Sequence, residues 1–226
     1  MFSDTLIKLF DNGMMAEAVW ATIYMTILST LISYIIGLPL GVVLYLTREK
    51  GLAPCKALNT CLGFIINIFR SIPFIILTFA VFPFTRLVAG TSVGNGAMIV
   101  TLIIGSAPYV ARMVESSLLE VDNGVIEAAE SMGASTIEII FKVLIPEAKP
   151  ALITGATISA ITVLGYSAMA STIGGGGLGV IAYTFGYQNS KEDITWICVA
   201  FTVIIVQIIQ VLGNLISKKT DKRIKR

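Results

Sequence analysis

Glu127-Ala128-Ala129-Glu130-Ser131-Met132-Gly133-Ala134-Ser135, running on to Pro146, is the one long polar interruption in an otherwise apolar sequence. Its spacing predicts two short helices with a glycine joint. Val125, Ala128, Ala129 and Met132 fall at i, i+3, i+4 and i+7, so they share one face of the first helix. Glu127, Glu130 and Ser131 fall on the other side. Gly133 stands where a helix end needs a residue that adopts left-handed angles without strain. Ser135-Thr136-Ile137-Glu138 matches a capping box, with Ser135 as N-cap and Glu138 reaching back. Glu138 and Lys142 add an i,i+4 ion pair. The second helix is expected to stop near Ile145, because the residue before Pro146 is biased away from helical angles. Helices this short are marginal alone in water, so the segment reads as a docking device.

The rest of the chain belongs to a membrane. Of 226 residues, 55% are hydrophobic and 13% charged, against about 25% charged in soluble domains. Apolar runs of 18 or more residues recur, the signature of transmembrane helices. Asp4, Lys8, Asp11 and Glu17 break up the N-terminal stretch, so no cleavable signal peptide is expected. With no histidine, catalysis by Ser-His-Asp or Cys-His is excluded, as is the commonest metal ligand. Cys55, Cys61 and Cys198 have no metal-ligand spacing and read as reduced thiols.

Five spans are expected, making an all-α membrane protein of one transmembrane domain over 1–226. The first covers about 19–46; as one helix it measures about 42 Å, which calls for tilt or a kink. Gly37, Pro39 and Gly41 supply the kink, and the two glycines form a small-xxx-small face for close helix contact. Two architectures satisfy 57–88: one long bent helix, or an interfacial helix to about Phe69 followed by a shorter span. The third span covers about 93–113, the fourth about 150–172 with Pro150 near its start, and the fifth about 194–216. A glycine-rich loop joins the last two, and a basic tail occupies 217–226.

Charge placement orients these spans. Of 16 Lys and Arg, the loop at 47–56, the stretch 112–149 and the tail hold three, three and six. The positive-inside rule then sets the N-terminus outside and the C-terminus, with the polar segment 122–146, in the cytoplasm. Its acidic face argues against lying on anionic lipid and against reading DNA. Insertion into a groove on a protein partner fits better.

Other constellations yield less. Gly174-Gly175-Gly176-Gly177-Leu178-Gly179 satisfies G-x-G-x-x-G, but it follows an apolar helix rather than a strand. A tight external loop, open to a partner, is the better reading. Arg70 is favoured as an interfacial arginine over a pathway residue. Gly165-Tyr166-Ser167-Ala168-Met169 either lines a pathway or packs helices through small residues. Apart from Arg70, the spans as drawn hold no ionisable residue near their centres, so a transporter of this kind draws its energy from another subunit.

Glu127-Ala128-Ala129, then Gly133 after three residues and Val143-Leu144-Ile145-Pro146 after nine more, resembles the EAA motif of ABC importer permeases. That family prefers Ile-x-Leu-Pro, so Val143 and Ile145 depart from it mildly. Asn67-Ile68-Phe69-Arg70-Ser71-Ile72-Pro73-Phe74, Ala111-Arg112-Met113-Val114-Glu115, Val163 to Met169 and Gly176-Gly177-Leu178-Gly179 are similar to methionine importer permeases. The likeness covers the chain from the first span to the fifth and leaves out the basic tail.

The resemblance implies a non-catalytic subunit of a type I ABC importer in a bacterial inner membrane. Its partners would be a second copy, two cytoplasmic ATPase subunits that carry the ATP and magnesium, an external binding lipoprotein and lipid. The chain itself would hold no cofactor and touch no nucleic acid. Glu127, Ala128, Ala129, Met132, Gly133 and Pro146 would belong to the ATPase-coupling segment. Arg70, Tyr166, Ser167 and Met169 are candidate pathway residues, and Gly174, Gly176, Gly177 and Gly179 candidate contacts for the binding protein. The substrate would be methionine. The alternatives are the same architecture serving another small solute, or a self-sufficient carrier or channel.

Overall fold

The computed structural model describes residues 4–171 and 174–221, and no strand occurs among them. Nine helices follow in chain order: α1 Asp4–Asp11, α2 Met14–Thr47, α3 Lys56–Ser71, α4 Phe74–Ala89, α5 Asn95–Leu119 and α6 Asn123–Ser131. They continue as α7 Thr136–Ala170, α8 Leu178–Tyr187 and α9 Glu192–Thr220. Four of them, α2, α5, α7 and α9, are long and apolar enough to cross a membrane. The broken pair α3 and α4 provides a fifth span if counted together.

At 57–88 the chain takes one of the two architectures left open, and several other expectations are corrected. The region 57–88 is two helices broken around Ile72 and Pro73, since Pro73 at the start of α4 disfavours helical angles at Ile72. Helix α5 does not end at Met113 but carries Arg112 and Glu115 inside it to Leu119. The second half of the polar segment does not stop at Ile145. It passes through a π-helical stretch, Ile139–Leu144, and continues as α-helix, with Pro146 and Pro150 inside. In that stretch the Ile145 N–H bonds the Ile140 carbonyl, one residue further back than in an α-helix. A wider turn just before Pro146 relaxes the hydrogen-bond spacing where the proline ring would otherwise crowd the preceding turn. The stretch 178–187, expected as loop, is a short helix. Helix α1, missed in the hydropathy pattern, buries Leu6 and Leu9. The end of the fourth span at Thr172, and Lys222, Arg223, Lys225 and Arg226 of the basic tail, lie outside the described residues.

The chain divides into two compact units. One comprises Met1–Ile32, Ile72–Ser106 and Ala160–Ile209; the other comprises Ser33–Ser71, Ala107–Ser159 and Gln210–Arg226. In the first, Leu6, Leu9 and Met15 pack with Leu178, Ile181, Ile194 and Cys198, while Met25, Phe74, Met98, Leu102 and Val163 form a second cluster. In the other unit the core runs from Val42 and Tyr45 of α2 through Val110, Val114 and Leu118 of α5. It continues into Ile126 and Ala129 of α6 and Ile139, Ile140, Leu144 and Ala148 of α7.

Gly37 and Gly41 make the close helix contact expected of them. A Cβ on Gly41 would lie 2.6 Å from both the Ala111 carbonyl oxygen and Val114 Cβ, and one on Gly37 would lie 2.6 Å from Val110 Cγ1. Backbone and β-branched neighbours have little room to give. Gly41→Val is therefore expected to destabilise the protein by about 1–3 kcal/mol. Gly165→Ala, where a Cβ meets open space, is expected to be neutral or slightly stabilising. Thermal unfolding of the two variants in detergent checks the contrast.

Candidate functional site

The polar segment is closed at every helix end by its own residues. Asp122 caps α6, its carboxylate accepting from the Gly124 N–H at 2.7 Å. At the other end Gly133 has φ +82°, the left-handed angle its position required. The Gly133 N–H donates to the Glu130 carbonyl at 2.9 Å and the Ala134 N–H to the Ala129 carbonyl at 3.1 Å, the bonding pattern of a Schellman motif. The capping box forms as expected: the Glu138 N–H reaches Ser135 Oγ at 3.4 Å, and Glu138 Oε2 accepts from the Ser135 N–H at 3.1 Å. Lys142 donates to Glu138 Oε1 at 2.8 Å.

The apolar face expected from the spacing is split on α6, with Ala129 alone of its four residues turned into the chain's own core. Ile126 and Ala129 point into the core, whereas Val125, Ala128 and Met132 are exposed with Glu127, and Met132 is 82% exposed. Ile137, on the first turn of α7, is also exposed. Two apolar stripes share one short helix. The Ile126 and Ala129 stripe holds α6 to its own chain, and the Val125, Ala128 and Met132 stripe is left uncovered beside Glu127. Pro146 is exposed, two residues beyond the π stretch on which α6 packs.

The remaining candidates are scattered. Arg70 is exposed in the last turn of α3. Tyr166 is half-buried, its ring stacked parallel on Phe74 with centroids 4.6 Å apart. Ser167 is buried and donates to the Leu164 carbonyl at 2.7 Å, while Met169 is exposed. The glycine run is fastened from two sides. The Gly176 N–H donates to Asn95 Oδ1 at 2.7 Å, the Gly94 N–H to the Gly174 carbonyl at 2.6 Å, and the Leu178 N–H to Thr22 Oγ1 at 2.9 Å. A Cβ on Gly176 would meet Asn95 Oδ1 at 2.6 Å, so close approach explains that glycine; Gly174 and Gly177 have φ of +119° and +103°. Gly174 is exposed, Gly176 and Gly179 are half-buried, and Gly177 is buried.

Sequence reasoning passed over one polar cluster. Arg112 of α5 pairs with Glu115 at 2.7 Å and also donates to the Gly63 carbonyl and to Asn67 Oδ1 of α3, each at 3.3 Å. Gly63 admits the guanidinium, since a Cβ there would lie 3.1 Å from Nη2. The signal was an Arg and a Glu three residues apart at the end of an apolar run. It was taken as the end of the span. Ionised groups within a span persist only where they are paired.

The chain matches the family described as binding-protein-dependent transport system inner membrane component, over residues 37–226. The chain belongs to that family. Curated relatives include the methionine import system permease protein MetP of Bacillus subtilis, 51% identical over 219 residues, 96% of this chain and 99% of the relative. Another is the probable D-methionine transport system permease protein MetI of Vibrio cholerae, 43% identical over 99% of this chain and all of the relative. Among solved structures, a chain of the inward-facing MetNI methionine ABC transporter superposes with a TM-score of 0.92 at 43% identity, covering 98% of this chain and 100% of that one. An amino acid ABC transporter chain at 21% identity shares the fold, with a TM-score of 0.78.

Within this inner membrane component the Arg112 cluster ties two helices together across an apolar setting. Arg112→Ala leaves Glu115 and the Gly63 carbonyl without their cation. We expect a loss of about 1–3 kcal/mol, at the lower end because the pair is partly exposed. Glu115→Gln keeps a hydrogen-bond acceptor for Arg112 and is expected to cost less. Unfolding temperatures of the two variants in detergent check the order.

Proposed function

We propose that this chain is the membrane-spanning permease subunit of an ATP-driven importer for methionine, working as a pair of copies with two cytoplasmic ATPase subunits and an external binding lipoprotein. The observation that carries this reading is the polar segment. A helix capped at both ends shows Glu127, Ala128 and Met132 outward and packs on a second helix that runs on into a span. Nothing in the described residues covers that outward face, and a groove on an ATPase subunit is the partner it suits.

In the mechanism, the ATPase subunits close on ATP and draw the two coupling segments together. Because α7 is continuous from Thr136 to Ala170, motion applied at its first turns passes into the span without a hinge loop. The paired spans open outward to receive substrate from the binding protein, and hydrolysis returns them inward. The permease contributes no reacting group; its role is to convert the movement of a docked motor into access on alternate sides. The Lys and Arg distribution supports an N-terminus outside and a segment 122–146 in the cytoplasm, where ATP is. With two copies related by a two-fold axis, the pathway lies along that axis.

Methionine as cargo is supported by the named functions of the relatives at 51% and 43% identity. No side chain in the described residues selects for it on its own. The test is reconstitution of the chain with its ATPase subunits in proteoliposomes. Uptake of methionine is expected to require ATP and methionine-loaded binding protein, whereas uptake by the chain alone would contradict the proposal. Stimulation only by a binding protein carrying another solute would keep the architecture and reassign the cargo. In the same system Gly133→Asp, which forces a side chain into φ +82°, is expected to lower ATPase docking or coupling severalfold.

A further inference from the structure

Beside α6 a cleft of about 290 Å³ is lined by Tyr45, Arg48, Lys50, Leu52, Ile126, Glu127 and Glu130, among others. Two cations come from the turn after α2 and two carboxylates from α6, and no ion pair within 4 Å joins them among the described residues. Lys50, Glu127 and Glu130 are exposed, and the cleft's floor includes buried Tyr45 and Ile126.

The turn that presents the cations is rigidly built. The Gly51 N–H donates to the Arg48 carbonyl, the Ala53 N–H to the Leu46 carbonyl and the Cys55 N–H to the Thr47 carbonyl, at 2.9, 3.1 and 3.1 Å. Asn59 Nδ2 adds a bond to the Leu44 carbonyl at 2.8 Å. Four carbonyls at the end of α2 are thereby satisfied. Gly51 is forced by space, since a Cβ would come within 2.1 Å of the Leu46 oxygen. The Arg48 guanidinium lies over the Tyr45 ring, 4.2 Å from its centroid, which holds its direction.

Charges of both signs, held apart on a preorganised rim, suit a partner that brings charges of both signs. Glu127 lines this cleft and precedes the exposed Ala128, so the cleft shares one short helix with the uncovered Val125, Ala128 and Met132. An apolar patch with a charged border is the anatomy of a protein interface rather than of a small-solute site. We propose that the ATPase footprint extends off α6 onto the turn after α2. Arg48 and Lys50 receive acidic side chains of the ATPase subunit while Glu127 and Glu130 receive basic ones. This rests on the importer reading given above and adds a second docking element to it. Two opposed charge contacts fix the rotation of the docked subunit about α6, which one helix in a groove leaves loose.

The test uses the full chain in proteoliposomes, with purified ATPase subunits added and their binding measured by sedimentation at low and high salt. Lys50→Glu is expected to weaken binding about 3- to 10-fold at low salt, with the difference shrinking towards 1 M salt, where the Debye length is about 3 Å. Lys50→Arg is expected to bind as the natural chain does, which separates loss of charge from loss of fold. Glu127→Lys serves as the control for the coupling helix itself. If Glu127→Lys loses binding and Lys50→Glu keeps natural affinity at low salt, the second element is overturned and the importer reading stands. If the natural chain does not bind the ATPase, the importer reading falls with it. Displacement of bound ATPase by millimolar free amino acid, abolished by Lys50→Glu, would reassign the cleft to a small ligand and overturn the proposal.

Discussion

The continuity of α7 through Pro146 is the constraint on which the rest of the molecule depends. A proline at that point ordinarily breaks or sharply kinks a helix, at about 3 kcal/mol or more. Here the preceding six residues, Ile139–Leu144, widen to a π turn, and the helix goes on. The same widened turn carries Ile139, Ile140 and Leu144 into the core that also takes Ile126 and Ala129 from α6. One local distortion therefore does two things. It keeps the polar segment and the span on one helix, and it supplies the apolar surface on which α6 sits. On the proposed function, a break at Pro146 would leave the polar segment as a tethered loop, able to bind a motor but not to transmit its motion.

Close packing supports this arrangement elsewhere in the same unit. Gly37 and Gly41 let the backbone of α2 approach α5, and Gly63 lets the Arg112 guanidinium reach the α3 carbonyl. In a membrane the hydrophobic effect does not draw helices together, so contact of this kind and interhelical hydrogen bonds carry the packing. In the other unit, Asn95 and Thr22 take the N–H groups of Gly176 and Leu178 and hold the glycine run in place. Close approach at Gly176 and left-handed angles at Gly174 and Gly177 account for glycines in the G-x-G-x-x-G run.

Much of this was legible in the sequence, and the limits have physical causes. The four long spans were visible because a bilayer demands long apolar runs, and Gly133, Ser135 and Glu138 were visible because caps are local. The buried face of α6 was not. The stripe read as one apolar docking face, Val125, Ala128, Ala129 and Met132, is exposed except for Ala129, which packs with Ile126. A helix that docks outward as well as inward is apolar on both counts, and periodicity does not say which side its own chain covers. Pro146 was read as a stop because the proline rule is local, whereas the π turn that accommodates it is held by packing around Leu144. Arg112 was read as the edge of a span because its partners on α3 lie 45 and 49 residues away in sequence. Helix 178–187 was hidden by the glycines before it.

On the proposed function, the exposed face of α6 and the first turns of α7 form the seat of the motor. Amide hydrogen exchange across the chain in nanodiscs, with and without the ATPase subunit, tests it most directly. The account predicts that the ATPase slows exchange in 122–146 while the amides of α8 and the start of α9 are unchanged. Unaltered exchange in 122–146 on formation of a stable complex, with protection arising elsewhere, would contradict it.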